Sequence, residues 1–485
     1  MLRIVITCLV SSIAVLSKGQ VESEYLMPLN PQEAITYTSF LNEAVVVSQA
    51  DQYSKAESKP QRRYVVLDSN LNLLFDTVPL APFRQKLVSS WNDDTAQYDL
   101  FYDYRRGNFH LNTVTESGLT THEGRLPTKL YDLQFRVIHD KIYVLTLKRK
   151  REQVIVYDKN SGDVNVVSIK SKLKRGKINF VSWSISGTEQ HALFWNDFTR
   201  SENLNMVLAF DGDDHEVFEL RCSDNSILQS AKAMATEEGS MVVFGSYGQR
   251  QQGESAGIKS FHVQDGSVVQ QHSYSFSEMS HFFDFLSEAD QETIKRRLAR
   301  LKRHEKSTDV YYWTELEFVG KTDNEIYLVS SYYNKQYQDL YGVTRDGNNI
   351  AGSPTELRGF THSHASILRF DLEGEYLHDD MVRLDSSILN RFTASGAHWL
   401  VADTVFHGLY LRSDALNSVI VKPHHPPLTE SEKDVFTTSD QRVVSARKIG
   451  RYNIANYFMH GYLTTAPSGE KVKGRIYFIE KRKLR

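Results

Sequence analysis

A short pattern recurs along this chain: an apolar or aromatic residue, an acid, one to three turn residues, a glycine, then an apolar run. It reads Tyr157-Asp158…Gly162-Asp163-Val164, Phe210-Asp211-Gly212…Val217, Val263-Gln264-Asp265-Gly266…Val268 and Phe370-Asp371…Gly374…Leu377. A glycine-free form stands at Leu67-Asp68…Leu71. An acid and a glycine between two apolar runs signal a β-hairpin, because glycine accepts the positive φ of a tight turn. The spacing constrains the fold more than any single turn. It is 53 residues from Asp158 to Asp211, 54 from Asp211 to Asp265, and 90, or two steps of 45, from Asp68 to Asp158. A repeat of that length is one blade of a β-propeller.

The runs between the turns support strands. Tyr64-Val65-Val66-Leu67, Ile142-Tyr143-Val144-Leu145, Val154-Ile155-Val156-Tyr157, Met241-Val242-Val243-Phe244 and Ile326-Tyr327-Leu328-Val329 are short, β-branched or aromatic, and closed by Gly, Asp, Asn or Ser. Grouped around the turns they give units near 62–113, 130–170, 178–221, 228–274, 309–382, 391–422 and 441–482. Weaker turns stand at Ser117-Gly118, Asp414 and Ser468-Gly469. Counting turns gives eight units and grouping strands gives seven. The expectation is an all-β chain forming a single propeller of about seven blades over 61–485, with six or eight open. Two β-sandwiches are the competing architecture, and the even period favours blades. Gly-His…Trp-Asp pairs and Gly-Gly doublets are missing, so no WD40 or kelch membership follows. Residues 20–60 form a polar N-terminal segment, with two candidate first-blade strands near Ile35–Phe40 and Ala44–Ser48 and a loop over 50–60.

One segment breaks the β pattern. Residues 277–306 read as a helical insertion on a blade edge or between blades. Phe282, Phe283, Phe285 and Leu286 make an apolar piece, and Ser287 with Asp290 resembles a capping box. Ile294, Leu298 and Leu301 then fall at i, i+4 and i+7, one helical stripe. Lys295, Arg296, Arg297, Arg300, Lys302, Arg303 and Lys306 surround it, seven cations in twelve residues. Such a face suits phosphate, lipopolysaccharide or an acidic protein, and equally an ordinary solvated surface.

The first residues read Met1-Leu2-Arg3, an apolar run Ile4 to Leu16, then Ser17-Lys18-Gly19. That is the build of a signal peptide over 1–19, too short to span a bilayer. No later stretch is apolar enough to be a transmembrane helix. Loss of Arg3 and Lys18 takes the formal charge from −3 to −5, which argues against nucleic-acid binding. Of two cysteines only Cys222 remains, so no intrachain disulfide is available. Asn-x-Ser/Thr sequons are also missing. These features favour a bacterial envelope protein over a eukaryotic secreted one, exported to the periplasm, the outer surface or outside the cell.

From the insertion onward the order of motifs becomes familiar. It runs Gly245-x-Tyr247, Gly257-Ile258, the phenylalanine-rich basic helix, Tyr332-Tyr333, Thr361-His362-x-His364-Ala365 and Phe370-Asp371-x-x-Gly374, closing on Gly461-Tyr462 and Ile476-Tyr477-Phe478-x-x-Lys481. Over roughly residues 230–485 the chain resembles a group of uncharacterised exported β-propeller-like proteins of Gram-negative bacteria. The resemblance implies fold and compartment and carries no activity. It also implies an acid shortly before the paired tyrosines, where this chain has Ser330 and Ser331.

The sharpest candidates for chemistry are His362 and His364. Two apart in a strand, they are expected on one face, as a chelating pair or as a base near a carboxylate such as Asp379 or Asp380. Two ligands fall short of a zinc site, so no metal is assigned; the same pair also reads as hydrogen-bonded surface histidines. His424-His425 before Pro426-Pro427 read as a stiff loop. Asp211, Asp213, Asp214 and Glu216 lack the order of a calcium loop and read as turn acids, as do Asp158, Asn160 and Asp163. Tyr332, Tyr333 and Tyr337 would stack on a sugar ring or pack within a blade. No nucleophile elbow, Walker loop or dinucleotide fingerprint is present, and whether a cofactor is used stays unknown from the sequence. The favoured expectation is a non-enzymatic binding scaffold for an envelope protein, a glycan or an anionic envelope polymer. The alternative is a propeller-fold hydrolase or lyase acting on a polysaccharide or peptide.

Overall fold

The structure is a computed structural model. It describes residues 21–483 apart from 30–32, 52–61, 80–84, 149–150, 175, 187–189, 200–201, 212–213, 223, 225, 237–239, 250–252, 340–354, 385–397, 403–404, 413–414, 423–426, 433–443, 453–455 and 464–474. The expected signal peptide and the His424-His425 pair lie outside the described residues.

Among the described residues the chain forms eight four-stranded sheets and one long helix. Strand β1 (Val21–Leu29) comes first and is used last. The first sheet takes β2 (Glu33–Phe40), β3 (Ala44–Asp51), β4 (Arg62–Asp68) and β5 (Leu73–Thr77) in that order. The second takes β6 (Lys86–Asn92), β7 (Gln97–Tyr102), β8 (Asn108–Thr115) and β9 (Gly118–Arg125). The third takes β10 (Tyr131–Ile138), β11 (Lys141–Lys148), β12 (Arg151–Asp158) and β13 (Val164–Ser168). The fourth takes β14 (Lys177–Ser186), β15 (Gln190–Phe198), β16 (Asn203–Asp211) and β17 (Asp214–Leu220). The fifth takes β18 (Ile227–Ala235), β19 (Ser240–Gly248), β20 (Gly257–Gln264) and β21 (Ser267–Ser275), and is followed by helix α1 (Glu288–Arg303). The sixth takes β22 (Trp313–Lys321), β23 (Ile326–Asp339), β24 (Thr355–Phe370) and β25 (Tyr376–Arg383). The seventh takes β26 (His398–Ala402), β27 (Val405–Arg412), β28 (Ala415–Val421) and β29 (Leu428–Glu432). The eighth runs β30 (Val444–Tyr452), β31 (Asn456–Leu463) and β32 (Arg475–Lys483), and β1 completes it antiparallel to β32.

Successive four-stranded meanders, with a last sheet shared between the two ends of the chain, are β-propeller topology. The chain divides into two compact units. One spans Met1–Val167, Asp414–Leu416 and Ser431–Arg485, and the other Ser168–Ser413 and Asn417–Glu430.

The recurring turn has one address. Asp68, Asp158, Asp211, Asp265 and Asp371 all sit between the third and fourth strands of their sheets. The Asp158 carboxylate accepts the N–H groups of Asn160 and Ser161, both at 2.8 Å. Asp371 accepts those of Glu373 and Glu375 at 3.0 and 2.8 Å. Gly162, Gly266 and Gly374 take φ of 76°, 69° and 88°, where a Cβ would be strained. The pattern therefore marks one sheet each time. Ser117-Gly118 marks the second sheet in the same place, between β8 and β9.

The sheet count is eight, the upper end of the expected range. The grouping near 62–113 merged strands of two sheets, because β5 and β6 are only partly apolar and expose much of their length. The apolar content sits in the second and third strands, which are packed from both sides. Val46, Val66, Leu100, Val144, Ile155, Leu208, Val243 and Leu328 are all fully buried. The core fills the spaces between neighbouring sheets of a unit, such as Leu100, Phe109, Phe135 and Ile155 between the second and third.

A second difference concerns the insertion. Residues 277–306 were expected as helix throughout, but only Glu288–Arg303 is α-helical. The phenylalanine-rich stretch before it is a series of turns.

Candidate functional site

The sixth sheet and the insertion build the site together. Tyr332 pairs with His364 across β23 and β24, and Tyr333 pairs with His362, so Ser363 is an extra, bulged residue. Tyr332 and Tyr333 are neighbours in a strand and face opposite sides. Each histidine follows its partner. His364 stacks on Tyr332, with ring centroids 4.3 Å apart, while His362 lies beside Tyr333 at 5.9 Å. The expectation that the two imidazoles share one face is overturned by the bulge, and with it the basis for chelation. Asp379 and Asp380 pair with Leu368 and Ile367, away from both histidines in the register.

On the insertion side, His364 is completely enclosed. Phe285 covers its other face with centroids 3.7 Å apart, and the edges of Phe282 and Tyr312 close in at 5.5 and 5.4 Å. Its Nδ1 shares a 2.8 Å hydrogen bond with the Ser363 hydroxyl, and its Nε2 has no partner among the described residues. Burial holds its pKa well below the ordinary histidine value, so the ring is neutral near pH 7. Tyr332 is equally buried, and its hydroxyl closes a triangle with the hydroxyls of Ser330 and Ser366 at 2.8–2.9 Å. Ser330, at the place where the resemblance implies an acid, is thus committed to this buried tyrosine. Ser331 bonds the Glu317 carboxylate from the neighbouring strand.

A buried carboxylate fixes the start of the insertion. Asp379 accepts the N–H groups of Ser280 and His281, each at 3.0 Å, and the Tyr376 hydroxyl. Phe276, Phe282 and Phe283 are then buried against Tyr332, Leu316 and Leu368. Asp380 is committed elsewhere, 3.6 Å from Arg369 Nε and 3.4 Å from His378. Arg369 in turn lies over the rings of Tyr327 and Phe406 and reaches Glu325 at 3.4 Å.

Helix α1 follows from that footing. Ser287 is its N-cap, accepting the Asp290 N–H and donating to the Asp290 carboxylate. Glu288 and Asp290 in the first turn and Arg300, Lys302 and Arg303 in the last match the helix dipole. At the far end Glu305 takes φ 53°, its N–H bonding Lys302 O while the Lys306 N–H bonds Leu301 O. This is a Schellman motif without its usual glycine. The half-buried side of the helix carries Gln291, Ile294, Leu298 and Leu301, the stripe expected from the spacing. Ile294 and Leu298 pack onto the same apolar cluster as Phe282. Lys295, Arg296, Arg297, Arg300, Lys302, Arg303 and Lys306 are all exposed. At 100° per residue, Arg296, Arg300 and Arg303 lie opposite the apolar stripe, with Lys295 and Lys302 on one flank and Arg297 on the other. Among the described residues one of them meets an acid, Arg296 with Glu292 at 3.0 Å.

The opposite face of the sixth sheet holds Tyr333 beside Trp313, Phe360 and His362. Burial pushes the Tyr333 hydroxyl up to about 12, with the Glu315 charge adding to it. Lys335 lies 3.4 Å above the Trp313 ring. Glu315 stands in no motif that singles it out. It sits in the first strand of its sheet, takes a hydrogen bond from Ser230 at 3.3 Å, and is held above the usual carboxylate range by burial.

No protein-family model and no curated protein sequence matches the chain. Among solved structures it is similar to the WD40 domain of SCAP from fission yeast, at 8% identity over 94% of this chain and 98% of that chain, TM-score 0.39. It is similar to the Dos1 propeller, at 8% identity over 95% of each chain, TM-score 0.40. It is also similar to the dihydro-heme d1 dehydrogenase NirN, at 13% identity over 95% of this chain and 79% of that chain, TM-score 0.40.

Proposed function

We propose that this is an exported, non-enzymatic binding protein of the Gram-negative envelope, akin to the uncharacterised exported proteins it resembles. Its propeller holds α1 as a basic face for an anionic envelope surface. The observation that carries this reading is the division of labour within the insertion. Its apolar stripe and phenylalanines are spent on the sixth sheet, and its cations are left exposed. These cations are spread over more than half of the helix circumference and do not converge on a pocket. Such a spread suits a field of phosphate groups better than one small ligand. The acids and histidines nearest the site serve the fold. Asp379 clamps the insertion, Asp380 neutralises Arg369, and His364 is sealed between two rings. Cleavage near residue 19 would leave β1 whole, which suits a protein that matures on export.

Co-sedimentation with vesicles rich in phosphatidylglycerol tests the reading. Binding should be strong in low salt and fade as ionic strength rises. Replacing Arg296, Arg297, Arg300 and Arg303 by glutamine should weaken it strongly, with stability lowered by no more than about 2 kcal/mol through the lost helix-dipole contacts and the Arg296–Glu292 pair. Binding unaltered in the quadruple variant at low salt would sink the proposal.

A further inference from the structure

A second charged feature lies in the other unit, on the first strands of its sheets. Arg136 of β10 is half-buried, and its guanidinium lies 5.6 Å from the centroid of the Trp91 ring of β6. Trp91 is itself stacked on Tyr98, at 5.3 Å and 18°. One N–H of Arg136 donates to the Phe135 carbonyl at 2.7 Å. A guanidinium has five N–H donors, so four remain. No acid pairs with Arg136 among the described residues. Burial lowers its pKa, and the uncharged Tyr37 hydroxyl of β2 lies within electrostatic reach of it.

Several of the neighbouring polar groups are already engaged with one another. Tyr37 donates to Asn92 Oδ1 at 2.8 Å, and the Asn92 amide donates to the Asp93 carbonyl at 3.1 Å. The nearby carboxylate, Asp99, is fully buried, lies 2.8 Å from Arg62 Nε and accepts the Tyr64 hydroxyl at 2.6 Å. Arg62 and Asp99 pair with each other, and Arg136 is left without a paired acid among the described residues. Withdrawing a charge from water without a counter-ion is costly, and proteins ordinarily pair such groups.

We infer that Arg136 is the receptor of a carboxylate-binding subsite on the first strands β2, β6 and β10, held ready by Trp91 and bordered by Tyr37 and Asn92. The planar fork of a guanidinium matches a carboxylate in two parallel hydrogen bonds. One excess positive charge fits a monoanion better than a phosphate dianion. Stacking and the bond to Phe135 fix the fork before a ligand arrives, which lowers the ordering cost of binding. The Tyr37 oxygen, whose proton goes to Asn92, is placed to accept from a ligand hydroxyl. This subsite is independent of the basic helix, and the failure of either proposal leaves the other standing.

Titration calorimetry of the full chain tests the inference with two carboxylates of different origin, sodium glucuronate and N-acetyl-Ala-Ala. At least one should bind saturably with a Kd on the order of 1 mM. The tighter of the two identifies a sugar acid or a peptide terminus as the source. Its uncharged amide should bind at least about tenfold more weakly, and Arg136→Lys should lose a similar factor by keeping the charge without the fork. Saturation by neither carboxylate, tighter binding of inorganic phosphate, or unchanged affinity in Arg136→Lys would each overturn it. If that variant melts early, the unaltered protein still decides, since equal affinity for the tighter-binding carboxylate and its uncharged amide is incompatible with a guanidinium receptor.

Discussion

His364 lies sealed between the rings of Tyr332 and Phe285. The motif Thr361-His362-Ser363-His364 looks like a pair of ligands on one face, and the bulge at Ser363 separates them. A bulge leaves no trace in apolar alternation when the strand is polar, so this could not be read beforehand. Its consequence is a pH dependence. The folded protein keeps His364 neutral, while the unfolded chain protonates it near pH 6.5. Its stabilising contribution is therefore complete above pH 6.5 and declines as pH falls below it, by up to about 1.4 kcal/mol per pH unit. His364→Phe should flatten that decline, with stability at pH 7.5 within about 1.5 kcal/mol of the parent. Denaturant melts at pH 7.5 and pH 5 check this; an equal acid-side slope in the variant would show that another group is responsible. Glu305 offers a second residue-scale test. Its left-handed conformation costs a non-glycine residue about 1 kcal/mol, so Glu305→Gly should raise stability by about that amount. An unchanged or lower melting midpoint would contradict the cap described here.

At the scale of the element, the stripe of Ile294, Leu298 and Leu301, the N-cap and the exposed cations were all legible, because helical periodicity and capping are local. The conformation of residues 277–286 was not. Four apolar residues in five read as helix, but Asp379, a hundred residues on, takes the N–H groups of Ser280 and His281 and bends the segment into turns. Phe282 and Phe283 then point into the sheet where a helix would have spread them around its axis. Asp379→Ala would leave the N–H groups of Ser280 and His281 and the Tyr376 hydroxyl without their acceptor, at a cost of about 1–3 kcal/mol. The loss should be local. Hydrogen exchange should quicken through 279–303 and stay slow in β18–β20. Uniform quickening of all three strands with the insertion would mean that the insertion is part of the global core.

For the whole molecule, the period of the acid-glycine turn proved to be a count of third-to-fourth strand hairpins. The fold class followed from it, and the sheet number was ambiguous only where β5 and β6 lack an apolar signature. The partner of β1 was not legible, since a pairing between residues 21–29 and 475–483 is the most non-local in the chain. It carries a prediction. A chain beginning at residue 31 would lose the buried Met27 and Leu29, at about 1.5–3 kcal/mol each, and would bare the edge of β32. It should unfold at lower denaturant and self-associate on size exclusion. An unaffected monomer would show that the eighth sheet does not need β1.

The most direct test of the account is the footprint of the anionic surface on the folded protein. Hydrogen exchange measured with and without phosphatidylglycerol vesicles at low salt should show new protection confined to 288–306, reversed by raising the salt. Protection on other elements with none over 288–306 would contradict the claim that the docked basic helix is the binding face.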